Sequence, residues 1–217
     1  MGDSERPVLH YAAGRGRAET VRLLMAANGL EWTEVAVRTP EQLDKLRADG
    51  VLKFNQLPLL QIDGHDVVQT GALARYIAAK FDMRGADRDE AVRIDMLSEG
   101  AADFKGPFMV KCFGPDEAYQ TSIRQAADKY LPVFEKELSG DFLVGNKLSM
   151  ADVCLFEVLL SVNEEMPSEL ATKYPKLNAF VGRLSALPNL ASYLASSKRH
   201  PPNSAQYIQE VKATFRI

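Results

Sequence analysis

The sequence predicts an α/β N-terminal domain of order βαβαββα followed by an all-α C-terminal domain. Three observations predict it. Residues 7 to 24 pass from a short apolar run, through a loop holding Gly14 and Gly16, into apolar residues at helical spacing. An Asp63-Gly64 pair separates two apolar runs, which marks a β-hairpin. Beyond residue 89 only helical spacing recurs.

The elements follow in order. Val8 and Leu9, closed by Tyr11, read as a buried strand. From Arg17 onward Val21, Leu24 and Met25 recur with a helical period, and Asn28-Gly29 is a helix stop. Trp32 to Val37 reads as a second strand. Thr39-Pro40-Glu41-Gln42 is a helix start, with threonine as N-cap, proline at N1 and glutamine at N3. Leu57 to Ile62 and Asp66 to Val68 flank the hairpin turn, and Gln69-Thr70 opens a helix running to Phe81. Two strands joined by a helix should pair in parallel, and the hairpin supplies antiparallel strands. Residues 82–89 are charged and aperiodic and are expected to link a domain of residues 1–81 to one of residues 90–217. Helices are expected over 90–113, with a bend near Gly106-Pro107, and over 115–138. Others are expected after a capping box at Ser149 and Asp152, and over 175–186, 188–197 and 204–214. In the last of these, Ile208, Val211 and Phe215 form a narrow apolar stripe. Eleven residues make a marginal helix alone, so packing of that stripe is expected to hold it, either docked permanently on the helical domain or, in the preferred reading, as a lid over a filled pocket.

Composition excludes several classes. A net charge of −3 argues against nucleic-acid binding. No run of about 18 apolar residues offers a membrane span, and the polar start, Met1 to Arg6, has no apolar h-region after it. A cytoplasmic protein is expected. Two cysteines, Cys112 and Cys154, are too few and too distant for a disulfide framework or a CxxC pair. The three histidines lack metal-ligand spacing, so no metal site is expected.

Chemistry is expected where the first strand meets the first helix. Tyr11, Arg15 and Arg17 stand there, and helix-start N–H groups suit an anion. A positive charge at that end opposes the helix dipole, so Arg17 asks for an anion or a carboxylate nearby.

Several stretches together carry a resemblance. They are Leu-His-Tyr at 9–11, Arg-Gly-Arg at 15–17, Asp-Lys-Leu-Arg at 44–47, Gln-Leu-Pro at 56–58 and Gln-Thr at 69–70. Asp-Phe at 103–104, Leu-Val-Gly-Asn-Lys-Leu-Ser-Met-Ala-Asp at 143–152 and the ending Phe-Arg-Ile complete the set. In this order, over essentially the whole chain, they resemble cytosolic glutathione transferases, most of all the alpha class. The resemblance implies a thioredoxin-like first domain, a homodimer, and glutathione as co-substrate in attack on apolar electrophiles, a detoxification chemistry. Peroxidase or isomerase side activities are implied as well.

Residue by residue, the resemblance makes Tyr11 the hydrogen-bond donor to the glutathione sulfur, with Arg17 beside it. Leu57 would offer its backbone to the cysteinyl part, before a cis Pro58. Gln69 and Thr70 would take the γ-glutamyl carboxylate, and Arg47 and Gln56 the glycyl end. Asp103 would reach the γ-glutamyl amine from the second subunit, and Phe54 would key into the partner. Ala12, Gly14, Met109, Val110, Phe113, Ile208, Phe215 and Ile217 would line the electrophile pocket. Gly71 and Lys129 depart from the class, which usually has arginine at both. Other readings are a non-catalytic ligand-binding or structural protein on this fold, a thiol–disulfide oxidoreductase and a sigma-type prostaglandin isomerase. The retained Tyr11, Arg17, Arg47, Gln69 and Thr70 favour the transferase. No cysteine stands at 12–18 for an oxidoreductase, and the ending at 215–217 is alpha-like.

Overall fold

The structure, a computed structural model, describes residues 6–112 and 115–217. The chain forms two compact units. One comprises the residues up to Ile77 together with Ser192–Ile217, and the other is Ala78–Ala191.

The first unit is built on a four-stranded sheet. Its strands are β1 (Val8–Tyr11), β2 (Thr33–Ala36), β3 (Leu59–Ile62) and β4 (His65–Val68), in the order β2-β1-β3-β4. β1 and β2 run parallel, and the other two pairings are antiparallel, as the hairpin predicts. β3 begins two residues later than the apolar run, because Pro58 has no N–H for the ladder. Helix α1 (Glu19–Ala27) crosses from β1 to β2, and every residue from Glu19 to Ala26 is buried. α2 (Pro40–Ala48) carries the expected capping box: the Gln42 N–H donates to Thr39 Oγ1 at 3.3 Å, and Gln42 Oε1 accepts from the Thr39 N–H. α3 (Thr70–Lys80) follows β4.

The second unit is helical. α4 (Arg88–Met109) starts inside the expected linker because Asp87 caps it, its carboxylate accepting from the Glu90 N–H at 2.9 Å. Pro107 lies within its last turn, and a 3-10 turn, Val110–Cys112, follows. α5 (Asp116–Glu137) and α6 (Met150–Glu165) pack on α4 around Phe104, Phe134 and Phe156, all fully buried. The Asp152 carboxylate accepts from the N–H groups of Leu143 and Ser149, both at 2.8 Å, and from the Ser149 hydroxyl. That makes Asp152 a structural cap, as the capping-box motif implied. A one-turn helix, α7 (Glu169–Lys173), has no signal in the sequence and precedes α8 (Pro175–Ala186). Among the described residues no helix is long and apolar enough to cross a membrane.

The division between units falls within α9 (Pro188–Ala195), after which the chain belongs to the sheet-bearing unit. The sequence reading keeps 192–217 in the helical domain. The difference arises from polar bonds between residues far apart in the chain. The Tyr193 hydroxyl donates to Glu19, Arg15 Nε donates to the His200 carbonyl at 2.6 Å, and the Thr214 hydroxyl donates to the Arg38 carbonyl at 2.7 Å. α10 (Ala205–Phe215) is capped as expected by Ser204, which accepts from the Tyr207 N–H. Its apolar stripe is not what is buried, however. Thr214 is the buried residue of α10, whereas Ile208, Val211 and Phe215 are half-buried and Ile217 is 63% exposed. Hydrogen bonds and ion pairs join α10 to this unit.

Candidate active site

Strand alternation turns Leu9 and Tyr11 to the buried side, so the last strand residue brings a phenol to the rim of the sheet. The following loop folds tightly on itself, the Gly14 N–H donating to the Ala12 carbonyl at 2.7 Å. Gly16 has φ +40, and a Cβ there would lie 2.3 Å from the Tyr11 hydroxyl oxygen, so only glycine fits. A 3-10 turn, Gly16–Ala18, then delivers the Arg17 N–H to Tyr11, which accepts it at 2.8 Å. Arg17 thus touches the phenol through its backbone, and its side chain is exposed.

A fully buried arginine fixes this loop. Arg22 donates to the Gly14 carbonyl at 2.9 Å and to the Arg15 carbonyl at 3.2 Å, with its guanidinium 5.9 Å from the centre of the Tyr11 ring. Its charge is met by Glu34, with contacts of 2.5–3.1 Å, and by Glu19 at 3.3 Å. Glu34 also accepts from the Trp32 indole at 3.3 Å and lies 3.2 Å from His200 Nε2. Burial pushes the Glu34 carboxyl up, but hydrogen bonds from His200 and Arg22, the Arg22 charge and the Trp32 bond outweigh it and hold it down to about 2. Burial, followed by the neighbouring Glu19 charge, pushes the Tyr193 phenol up, so it serves as a neutral donor. This network was not foreseen. Arg22 and Glu19 look like ordinary polar positions on α1, and their only signal is a pair of opposite charges three apart in a helix otherwise lined with apolar residues.

The other expected residues of the sheet-bearing unit form a second group. Gln69 precedes α3 with φ +72, a conformation that an L residue holds only at some cost. Gln69 Nε2 donates to Gln56 Oε1 at 3.2 Å, and the Thr70 hydroxyl lies 3.5 Å from the Arg17 carbonyl, which joins the α3 start to the Tyr11 loop. The peptide between Leu57 and Pro58 is cis. Arg47, in the last turn of α2, donates to Asp44 at 3.0 Å and to the Asn55 carbonyl at 3.4 Å, next to Gln56. Tyr11, Arg17 and Thr70 are therefore directly connected, as are Gln56 and Gln69, and Arg47 reaches the same 55–58 loop.

The expected pocket residues divide between the units. Ala12 and Gly14 are buried at the Tyr11 loop, where the Tyr207 ring of α10 covers Gly14 so closely that a Cβ there would lie 2.2 Å from it. Tyr207, absent from the sequence-based set, is an α10 residue in contact with that loop. Met109, Val110 and Asp103 lie on or just beyond α4 in the helical unit, with Val110 43% exposed and Asp103 exposed. Phe113 lies outside the described residues. Phe54 is 57% exposed.

Family models for the glutathione S-transferase N-terminal domain and the glutathione S-transferase C-terminal domain match residues 7–79 and 102–197. The chain is 43% identical over 220 residues to glutathione S-transferase A1 of Mus musculus, covering 98% of each. It is 42% identical over 222 residues to glutathione S-transferase alpha-2 of Rattus norvegicus, covering 99% of this chain and 100% of the relative. The crystal structure of the glutathione S-transferase from Ascaris lumbricoides is similar to it with a TM-score of 0.78 and 25% identity, over 91% of this chain and 100% of that one. The chain belongs to the glutathione S-transferase family, as an enzyme most like the alpha class.

Proposed function

We propose that this enzyme conjugates glutathione to small apolar electrophiles and that Tyr11 activates the sulfur as a thiolate. The observation that carries the reading is the phenol oxygen of Tyr11 accepting the Arg17 N–H at 2.8 Å. A hydrogen bond donated into a hydroxyl oxygen polarises its own O–H and strengthens it as a donor. A free thiol near 8.5 is only a few per cent ionised at neutral pH. Lowering it by about two units takes roughly 2.7 kcal/mol of preferential stabilisation of the thiolate. A hydrogen bond to a charged group contributes about 1.5–3 kcal/mol, so one phenol bond supplies most of it. Tyr11 stays protonated throughout: it donates to the sulfur, and the thiolate attacks the electrophile.

The remaining residues hold the tripeptide. Gln69 and Thr70 stand at the start of α3, where unpaired N–H groups suit the γ-glutamyl carboxylate. The Leu57 backbone takes the cysteinyl part ahead of cis Pro58, and Arg47 and Gln56 take the glycyl end. The enzyme acts as a cytoplasmic homodimer, with exposed Phe54 in the interface and Asp103 serving the partner's γ-glutamyl amine. The half-buried stripe of α10 supplies apolar wall for the electrophile. Detoxification is the role this chemistry fits, with hydroperoxide reduction or isomerisation as side activities.

Tyr11→Phe is the test. Its turnover should fall about 30- to 150-fold, the equivalent of roughly 2–3 kcal/mol, while glutathione binding persists. Ultraviolet titration of bound glutathione should show the thiol pKa rising. An unchanged thiolate signal in the variant would overturn the assignment.

A further inference from the structure

We infer that Asp44 acts through Arg47 to set how freely that guanidinium takes the glycyl carboxylate of glutathione, and that the tail tunes Asp44 through Arg216. This rests on the proposed role of Arg47. α2 sets Asp44 and Arg47 three residues apart on one face, and Arg47 Nη1 donates to Asp44 Oδ1 at 3.0 Å. Arg216 approaches the same carboxylate from the tail, with Nη2 at 2.6 Å from Oδ2 and Nη1 at 3.4 Å from Oδ1. One carboxylate therefore lies between two guanidinium groups. The place of Arg216 is itself fixed. It is the left-handed cap of α10, and α10 is joined to the segment before α2 by the Thr214 bond to the Arg38 carbonyl and by the Arg38–Glu210 pair at 3.2 Å. Arg216 first, and Arg47 after it, holds the Asp44 carboxyl below its ordinary range. The Nε of Arg47 is buried with no acceptor among the described residues, so the guanidinium is not saturated by Asp44 and Asn55.

The consequence is electrostatic. With the tail docked, Arg216 neutralises Asp44, and Arg47 is less tightly claimed by it. With the tail released, the full charge of Asp44 both competes for Arg47 and repels an incoming carboxylate. Tail docking therefore raises the affinity for glutathione, and by linkage bound glutathione strengthens tail docking by the same factor.

The test compares glutathione with its glycyl ethyl ester, which lacks the carboxylate that Arg47 would hold. Binding, KM and turnover are measured for the full-length enzyme, Arg216→Gln, Asp44→Asn and the double variant. Arg216→Gln should weaken glutathione about two- to fivefold, the range of an exposed ion pair, mainly in KM, and the effect should shrink with salt. The ester should bind Arg216→Gln and the parent equally. In the Asp44→Asn background, Arg216→Gln should add nothing. Equal weakening toward the ester, or additive effects in the double variant, would overturn the inference. Arg47→Ala separates the two levels. If it leaves glutathione binding intact, the glycyl-site reading is wrong. If it weakens binding while Arg216→Gln does not, only the coupling is wrong.

Discussion

Replacing Glu34 with glutamine tests the buried network that holds the Tyr11 loop. The substitution keeps the shape and leaves the fully buried Arg22 with Glu19 as its remaining close carboxylate. The Glu34 carboxyl is held from 4.5 down to about 2, and each unit corresponds to about 1.4 kcal/mol. The charge of Glu34 should therefore stabilise the folded enzyme by roughly 3 kcal/mol, at the low edge of the 3–5 kcal/mol expected for breaking a buried ion pair. The sign follows from linkage. A carboxyl held below its ordinary pKa adds stability that is complete above about pH 4.5 and is lost as the pH falls toward about 2. Urea unfolding of parent and variant, at matched protein concentration because the proposed dimerisation would shift apparent stability, gives the difference directly. It should be roughly 3 kcal/mol at pH 7 and should narrow steadily below pH 4.5. Turnover should fall as well, since Arg22 would hold the Gly14 and Arg15 carbonyls less firmly. A difference under about 1 kcal/mol at pH 7, or one that stays constant as the medium is acidified, would refute the reasoning.

Three further outcomes are expected. Arg47→Ala and Thr70→Ala should raise the KM for glutathione more than they lower turnover, because in the proposed function both hold the ends of the tripeptide and not the sulfur; a large loss of turnover at unchanged affinity would contradict this. Phe54→Ala should shift the enzyme toward monomer in sedimentation and weaken glutathione binding through loss of the partner's Asp103, whereas a fully active monomer would refute both roles. Gly14→Ala places a methyl 2.2 Å from the Tyr207 ring, so the ring must swing away and loosen the first turn of α10. Amide exchange across 204–217 should then speed up, and adding the methyl to a Tyr207→Ala enzyme should change nothing further; unaltered protection in Gly14→Ala would discard the contact.

Much of the architecture was legible because it is written in short-range signals. The Asp63-Gly64 turn, the Thr39–Gln42 and Ser149–Asp152 boxes, the Ser204 cap and the switches of hydrophobic period each span a few residues and report local backbone preference. Tyr11 stood out in the same way, at a strand end beside a helix start, whereas the site roles of Gln69 and Thr70 were implied only by the family resemblance. The sequence by itself therefore determined the elements other than α7, their order and the family whose motifs they carry.

What only the tertiary structure decided is which charges are buried and where the tail goes. Arg22, Glu19 and Glu34 have the same composition and spacing as solvated residues, yet Arg22 is fully enclosed and Arg17, five positions earlier, is exposed. The tail returns to the sheet-bearing unit through bonds that join residues 172 to 185 positions apart. An apolar stripe can be counted along a helix, but a hydrogen bond to a distant carbonyl has no period. That is why the stripe alone stood out in the sequence, while the contacts of Thr214, Arg216 and Tyr207 appear only in the fold. Periodicity reports which side of an element is apolar; only the fold settles what each polar group meets once water is removed.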